Sequence, residues 1–160
     1  MKKHLILFFA GVILSYGNIK AQTVPDKKEI LKVTGFLDHC NINVTDIERS
    51  IKFYEEAVGL HVNSRMEAKD GSFIIVKLTD DKGLYELELT WLKDHPQPYE
   101  LGDNESHICF RVAEDYNEVF EFHKSKGWVC YENHDMHLYF INDPDGYWIE
   151  ILPVKNKSDK

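Results

Sequence analysis

The chain is 160 residues long and carries 19 Lys and Arg against 27 Asp and Glu, a formal net charge of −8. That length suits one domain or two small similar halves, and an apolar share of 43% is enough for a packed core. An acidic balance with no long basic stripe argues against nucleic-acid binding, and three cysteines, Cys40, Cys109 and Cys130, make no disulfide framework.

Residues 1–21 have the layout of a secretory signal peptide. Met1-Lys2-Lys3-His4 is a basic start, Leu5 to Gly17 is a mostly apolar run of thirteen, and a polar segment ends at Lys20-Ala21-Gln22. The run is too short to span a bilayer as a helix. Cleavage after Ala21 removes three lysines, takes the net charge from −8 to −11, and implies an exported protein, periplasmic or secreted, that does not stay in the membrane. Residues 22–34 read as a polar, lysine-rich tether, residues 35–154 as the folded domain, and residues 155–160 as a polar tail.

From Asp38 to Val44 the chain alternates, with Cys40, Ile42 and Val44 on a packed face and His39, Asn41 and Asn43 on a polar one. Asp46 is placed to N-cap a helix. Ile47, Ile51, Tyr54 and Val58 form its expected apolar stripe, and Gly59 stops it. Val62–Met66, Phe73–Leu78 and Leu84–Trp91 read as three strands, with Asp70-Gly71 a hairpin signal and Asp80-Asp81-Lys82-Gly83 a turn. Residues 92–106, with Pro96 and Pro98, form a linker.

The second half repeats the pattern. His107 to Val112 alternates, with Ile108, Phe110 and Val112 on one side and His107, Cys109 and Arg111 on the other. A helix from about Asp115 turns Tyr116, Val119 and Phe120 inward and ends at Gly127. Trp128–Tyr131, His137–Ile141 and Tyr147–Leu152 complete the set, the last entered through the turn Asp143-Pro144-Asp145-Gly146. His39 to Gly59 and His107 to Gly127 both span twenty positions. Each half is therefore expected to be a βαβββ module, residues 35–92 and 106–154, opening with a His on the polar face and closing with a Glu.

Two such modules bury one sheet face each against a helix, and their polar faces can curl into a cup. His39, Glu88, His107 and Glu150 would then meet. Two imidazoles and two carboxylates suit a divalent first-row metal such as Ni, Co, Zn, Mn or Fe and leave positions for a chelating substrate. Any one of these residues alone would be an ordinary surface group. Their matched placement in both halves is what makes them a candidate site. Glu86 shares the strand face of Glu88, and periodicity does not choose between the two. Trp148 shares the face of Glu150 and is a candidate cup lining, whereas Trp91 lies opposite Glu88.

These segments resemble glyoxalase I (lactoylglutathione lyase) and the wider vicinal-oxygen-chelate superfamily. The resemblance runs from about Leu37 to Pro153. It rests on His39 followed by Ser50-Ile51-Lys52-Phe53-Tyr54 and Gly59-Leu60; on Glu88-Leu89-Thr90; on Tyr99-Glu100-Leu101-Gly102 with Ser106-His107-Ile108; and on Asp143-Pro144-Asp145-Gly146-Tyr147 with Ile149-Glu150. It implies an α+β fold in which two βαβββ modules form a curved, cup-like mixed sheet, the glyoxalase/bleomycin-resistance/dioxygenase fold. It selects Glu88 over Glu86 and implies the metal ligands His39, Glu88, His107 and Glu150, with Ni or Co favoured by the compact linker and Zn as the other choice.

The implied reaction is the isomerisation of a 2-oxoaldehyde–thiol hemithioacetal, such as that of methylglyoxal, to a 2-hydroxyacyl thioester. Proton shuttling passes through an enediolate stabilised by the metal, with Glu150 as main base and Glu88 serving the opposite face. A homodimer is also implied. Where the family carries an Arg that holds a thiol carboxylate, this chain has Asn43, and its Asn counterpart is Leu92. Arg111, four residues after His107, is placed to grip an anion or simply to pair with a nearby carboxylate. Asn43, Arg111 and Trp148 are thus the candidate substrate-binding residues. Two other readings share the scaffold: another metalloenzyme of the superfamily, epimerase-like, using Glu88 and Glu150 as paired bases, and a non-catalytic small-molecule-binding protein.

Overall fold

The computed structural model describes residues 37–103 and 106–154. The expected signal peptide, tether and C-terminal tail lie outside the described residues. The described residues all belong to one compact unit.

The first module runs β1 (His39–Asn43), α1 (Ile47–Val58), β2 (His61–Glu67), β3 (Phe73–Thr79) and β4 (Glu86–Leu92). The second runs β5 (His107–Val112), α2 (Tyr116–Ser125), β6 (Val129–Asn133), β7 (Leu138–Asn142) and β8 (Trp148–Pro153). Each module makes one four-stranded sheet, of order β1-β4-β3-β2 and β5-β8-β7-β6. The opening strand pairs parallel with the closing one, β1 with β4 and β5 with β8, and the remaining pairs are antiparallel. The expected α+β architecture of paired βαβββ units is the one observed, as two open sheets.

Local chemistry accounts for the helix limits. The Asp46 carboxylate accepts the Arg49 backbone N–H at the start of α1, and Gly59, at φ 70°, ends it. Asp115 caps α2 by accepting from Asn117 N and Glu118 N. Both are short acidic side chains meeting otherwise orphaned amides. The buried face of α1 is rotated from the expected stripe: Ile47, Ser50, Phe53, Tyr54 and Ala57 are buried, whereas Ile51 and Val58 are only partly so. The reason is that α1 has two surfaces to satisfy. It covers its own sheet and also meets the second module, where Phe53 packs edge-to-face on Trp128 with centroids 5.0 Å apart.

Ile42, Val44, Val76, Leu78, Leu87 and Leu89 of the first sheet and Tyr139, Ile141, Ile149 and Ile151 of the second join one core. The modules therefore pack through their helix-side faces. Polar groups fix the junction. Tyr54 donates its hydroxyl to buried Asp143 at 2.9 Å. Asp145 accepts from the Thr45 backbone N–H at 3.2 Å and pairs with Arg49 at 3.1 Å. His123, fully buried, contacts Ala57 O through Nε2 and the Tyr139 hydroxyl through Nδ1, each at 2.8 Å. A carbonyl only accepts, so Nε2 carries the proton and Nδ1 accepts from Tyr139.

Cys40 was expected in the packed face. It does point that way, but it sits near the open start of β1 and lines a cleft of about 890 Å³ between the modules, so it is exposed. Cys40, Cys109 and Cys130 are all free and exposed rather than buried. Among the described residues no helix is long and apolar enough to cross a membrane.

Candidate active site

Strand alternation decides which side chains leave the core. With Ile42, Leu87 and Leu89 turned inward, His39, Asn41, Asn43, Glu86, Glu88 and Thr90 share the opposite face. In the second sheet Ile149 and Ile151 are turned inward, so His107, Cys109, Arg111, Trp148 and Glu150 share the outer face. The parallel registers then make the two halves comparable. His39 lies opposite Glu86 and Asn41 opposite Glu88; His107 lies opposite Trp148 and Cys109 opposite Glu150. Glu88 is therefore the register counterpart of Glu150, and Glu86 the counterpart of Trp148.

Each module brings its own His and Glu together. His39 Nε2 is 3.9 Å from Glu88 Oε2, and His107 Nε2 is 3.3 Å from Glu150 Oε2. The carboxylates are similarly enclosed, with side chains 17% and 15% exposed. Glu86 is committed elsewhere. It accepts from Lys77 at 2.8 Å and Asn63 at 2.6 Å, and the lysine beside it holds its carboxyl below the usual value.

The sequence left open whether the two pairs meet within one chain or across two; each pair here stands on its own module. Among the described residues no group of three or more His, Cys, Asp and Glu side chains is placed to hold a metal ion. The cause is the module packing: the helix-side faces meet, so the faces bearing the pairs turn away from the shared core. As half-sites the pairs nevertheless fit a divalent cation. His39 Nδ1–H donates to Asp38 at 2.8 Å, which leaves the Nε2 lone pair aimed toward Glu88, the arrangement by which an imidazole is oriented as a ligand. That hydrogen bond keeps the Asp38 carboxyl below its ordinary value.

The substrate-binding candidates are placed as follows. Trp148 stands beside Glu150 in an aromatic wall, with ring centroids 5.2 Å from Phe140 and 6.4 Å from Tyr131. Arg111 is on the same face, but its guanidinium donates to the Pro153 carbonyl at 2.6 Å, a backbone oxygen rather than the expected carboxylate. Asn43 is half-buried at the end of β1, where its carbonyl accepts from the Tyr147 hydroxyl at 3.1 Å. His134 and His137 bracket a tight turn, closed by His137 N–H donating to His134 O at 3.2 Å.

Sequence reasoning passed over Asn41 and Cys109. Asn41 donates from Nδ2 to Glu88 Oε1 at 3.1 Å and to Thr90 Oγ1 at 2.6 Å. Cys109 faces Glu150, and burial together with that carboxylate raises its thiol to about 11. The available signal was position, since each residue follows its His by two on a strand and so shares its face.

Residues 36–151 match the model of the Glyoxalase/Bleomycin resistance protein/Dioxygenase superfamily. The lactoylglutathione lyase of Haemophilus influenzae is 32% identical over 131 residues, covering 76% of this chain and 93% of that protein. That of Neisseria meningitidis serogroup B is 30% identical over 128 residues, covering 76% and 92%. Among solved structures, the trypanothione-dependent glyoxalase I of Leishmania major is similar with a TM-score of 0.66 and 30% identity, covering 75% of this chain and 87% of that one. The chain belongs to the Glyoxalase/Bleomycin resistance protein/Dioxygenase superfamily. Within it, the relatives named lactoylglutathione lyase mark it as a lyase of glyoxalase I type.

Proposed function

We propose that the protein isomerises the hemithioacetal of a 2-oxoaldehyde, such as methylglyoxal, and a thiol to a 2-hydroxyacyl thioester, at a divalent-metal site assembled from the two His–Glu pairs. The observation that carries this reading is the repeated geometry: one imidazole Nε2 facing one enclosed carboxylate at the same register position in both modules. The glyoxalase I relatives support it. Because the pairs turn away from the shared core, a homodimer in which the His39–Glu88 half of one chain faces the His107–Glu150 half of the other completes the site.

His39, Glu88, His107 and Glu150 would hold the ion, with Ni or Co favoured and Zn the alternative. When bound, it supplies Lewis acidity toward two adjacent oxygens. The chain's own part is proton transfer. Glu150 takes the proton from the carbon bearing sulfur and returns it to the neighbouring carbonyl carbon, while the hydroxyl proton passes to the former carbonyl oxygen, so no atom is gained or lost. Glu88 holds the opposite side, and the aromatic wall of Phe140 and Trp148 excludes water beside Glu150. The apolar N-terminus directs the protein to an exported location, which makes the thiol that of the extracytoplasmic space.

Metal content of the purified protein, read beside hemithioacetal turnover, tests the reading. About one Ni or Co per four-ligand site is expected, with turnover reduced roughly 10²–10⁴-fold in Glu150→Gln. Metal bound without turnover of any methylglyoxal–thiol adduct would overturn the proposed reaction, and absence of metal after loading would overturn the site.

A further inference from the structure

The two half-sites match in register and enclosure but not in their neighbours. Around Glu88, Asn41 lies opposite on β1 and Lys77 opposite on β3, and Thr90 follows on the same face. The corresponding positions around Glu150 are Cys109 on β5, Phe140 on β7 and Leu152 on β8. Each polar neighbour in the first module has a soft or apolar counterpart in the second. The residue before each His also differs, with Asp38 accepting from the His39 ring where the second module has the uncharged Ser106.

The consequence is mechanical. A carboxylate only accepts, so the Asn41 amide presents its NH2 to Glu88, and Thr90 anchors that same amide. Glu88 is held by a braced donor. At Glu150 the corresponding donor is the Cys109 thiol, a weak one, and Phe140, opposite on β7, brings none. Equal exposure, 17% against 15%, means solvent does not account for the difference.

We propose that Asn41 is a positioning residue that would hold Glu88 firmly in place toward the metal, and that Cys109, at the equivalent position, holds Glu150 less tightly. This rests on the reading of the His–Glu pairs as metal ligands. It assigns the division of labour between two chemically identical carboxylates to one amide and one thiol.

The test is Ni(II) affinity, measured on the purified protein by competition with a chromogenic chelator, for Asn41→Ala, Thr90→Val, Cys109→Ala and Cys109→Asn. Asn41→Ala should weaken binding about 10–100-fold, the usual effect of removing a group that orients a ligand, and at least about fivefold more than Cys109→Ala does. Thr90→Val should act in the same direction but less, and it preserves the comparison should Asn41→Ala misfold, which thermal unfolding of the metal-free protein would reveal. Cys109→Asn, which copies the brace onto Glu150, should keep Ni(II) affinity while lowering kcat at least about tenfold with little change in KM. Equal affinity losses for Asn41→Ala and Cys109→Ala, or kcat untouched by Cys109→Asn, would overturn the proposal. Wild-type protein that turns over no hemithioacetal would sink the reaction instead, while the affinity comparison would still decide the role of Asn41.

Discussion

Glu86 and Glu88 show how two identical side chains on one strand face acquire different tasks. Glu86 is paired with Lys77 and accepts from Asn63; Glu88 is left facing His39, with Asn41 as its brace. Replacing Glu88 by Gln should therefore lower both metal affinity and turnover by about tenfold or more, whereas Glu86→Gln should leave both within about threefold, since the Glu86 carboxylate is already committed to a surface ion pair with Lys77. Steady-state kinetics and metal titration of the two variants check this. A Glu86 variant as damaged as the Glu88 variant would reassign the ligand. Alternation along β4 made both candidates legible, but a period of two cannot rank residues two apart. The register against β1, a long-range fact, does so. Cys40 escaped for a related reason. Its side was readable, but the openness of the cleft it lines depends on how two modules meet.

At the scale of elements, the caps, the glycine stops and the helix–strand order were written locally, because each depends on residues within one turn of the boundary. The buried face of α1 was not. Ser50 meets Asp145 and Phe53 meets Trp128 of the second module, and no helical periodicity within α1 encodes partners so far along the chain. His123 is the clearest case: it occupies an ordinary-looking helix position, yet it ties α2 to the end of α1 through Ala57 O. Burial holds its imidazole below the ordinary 6.5. The folded protein therefore keeps it neutral while the unfolded chain takes up a proton, so its contribution is intact above about pH 6.5 and is lost as pH falls below it. The thermal midpoint should drop between about pH 7.5 and 5.5, and drop less steeply in His123→Gln. An equal slope in both proteins would show that His123 is not the group responsible.

For the whole molecule, the internal repeat carried the reading furthest. Twenty positions from His to Gly in each half announced two equivalent modules and a His–Glu pair in each. It could not announce that the modules pack by their helix sides, since that outcome follows from where the larger apolar area lies. The packing leaves each pair on an outward face, and a second copy of the chain then becomes part of the proposed site. The central claim is that a complete site takes one pair from each of two chains.

Complementation measures this directly. Chains carrying Glu88→Gln and chains carrying Glu150→Gln, each strongly impaired alone, are unfolded, mixed and refolded together, and hemithioacetal turnover is assayed with Ni(II) present. In a mixed dimer one site receives both intact pairs and the other neither, so the mixture should recover up to about a quarter of wild-type activity, half of the dimers being mixed and each having one working site. Recovery would place the two pairs on different chains; a mixture as inactive as its parents, with dimers formed, would contradict the account.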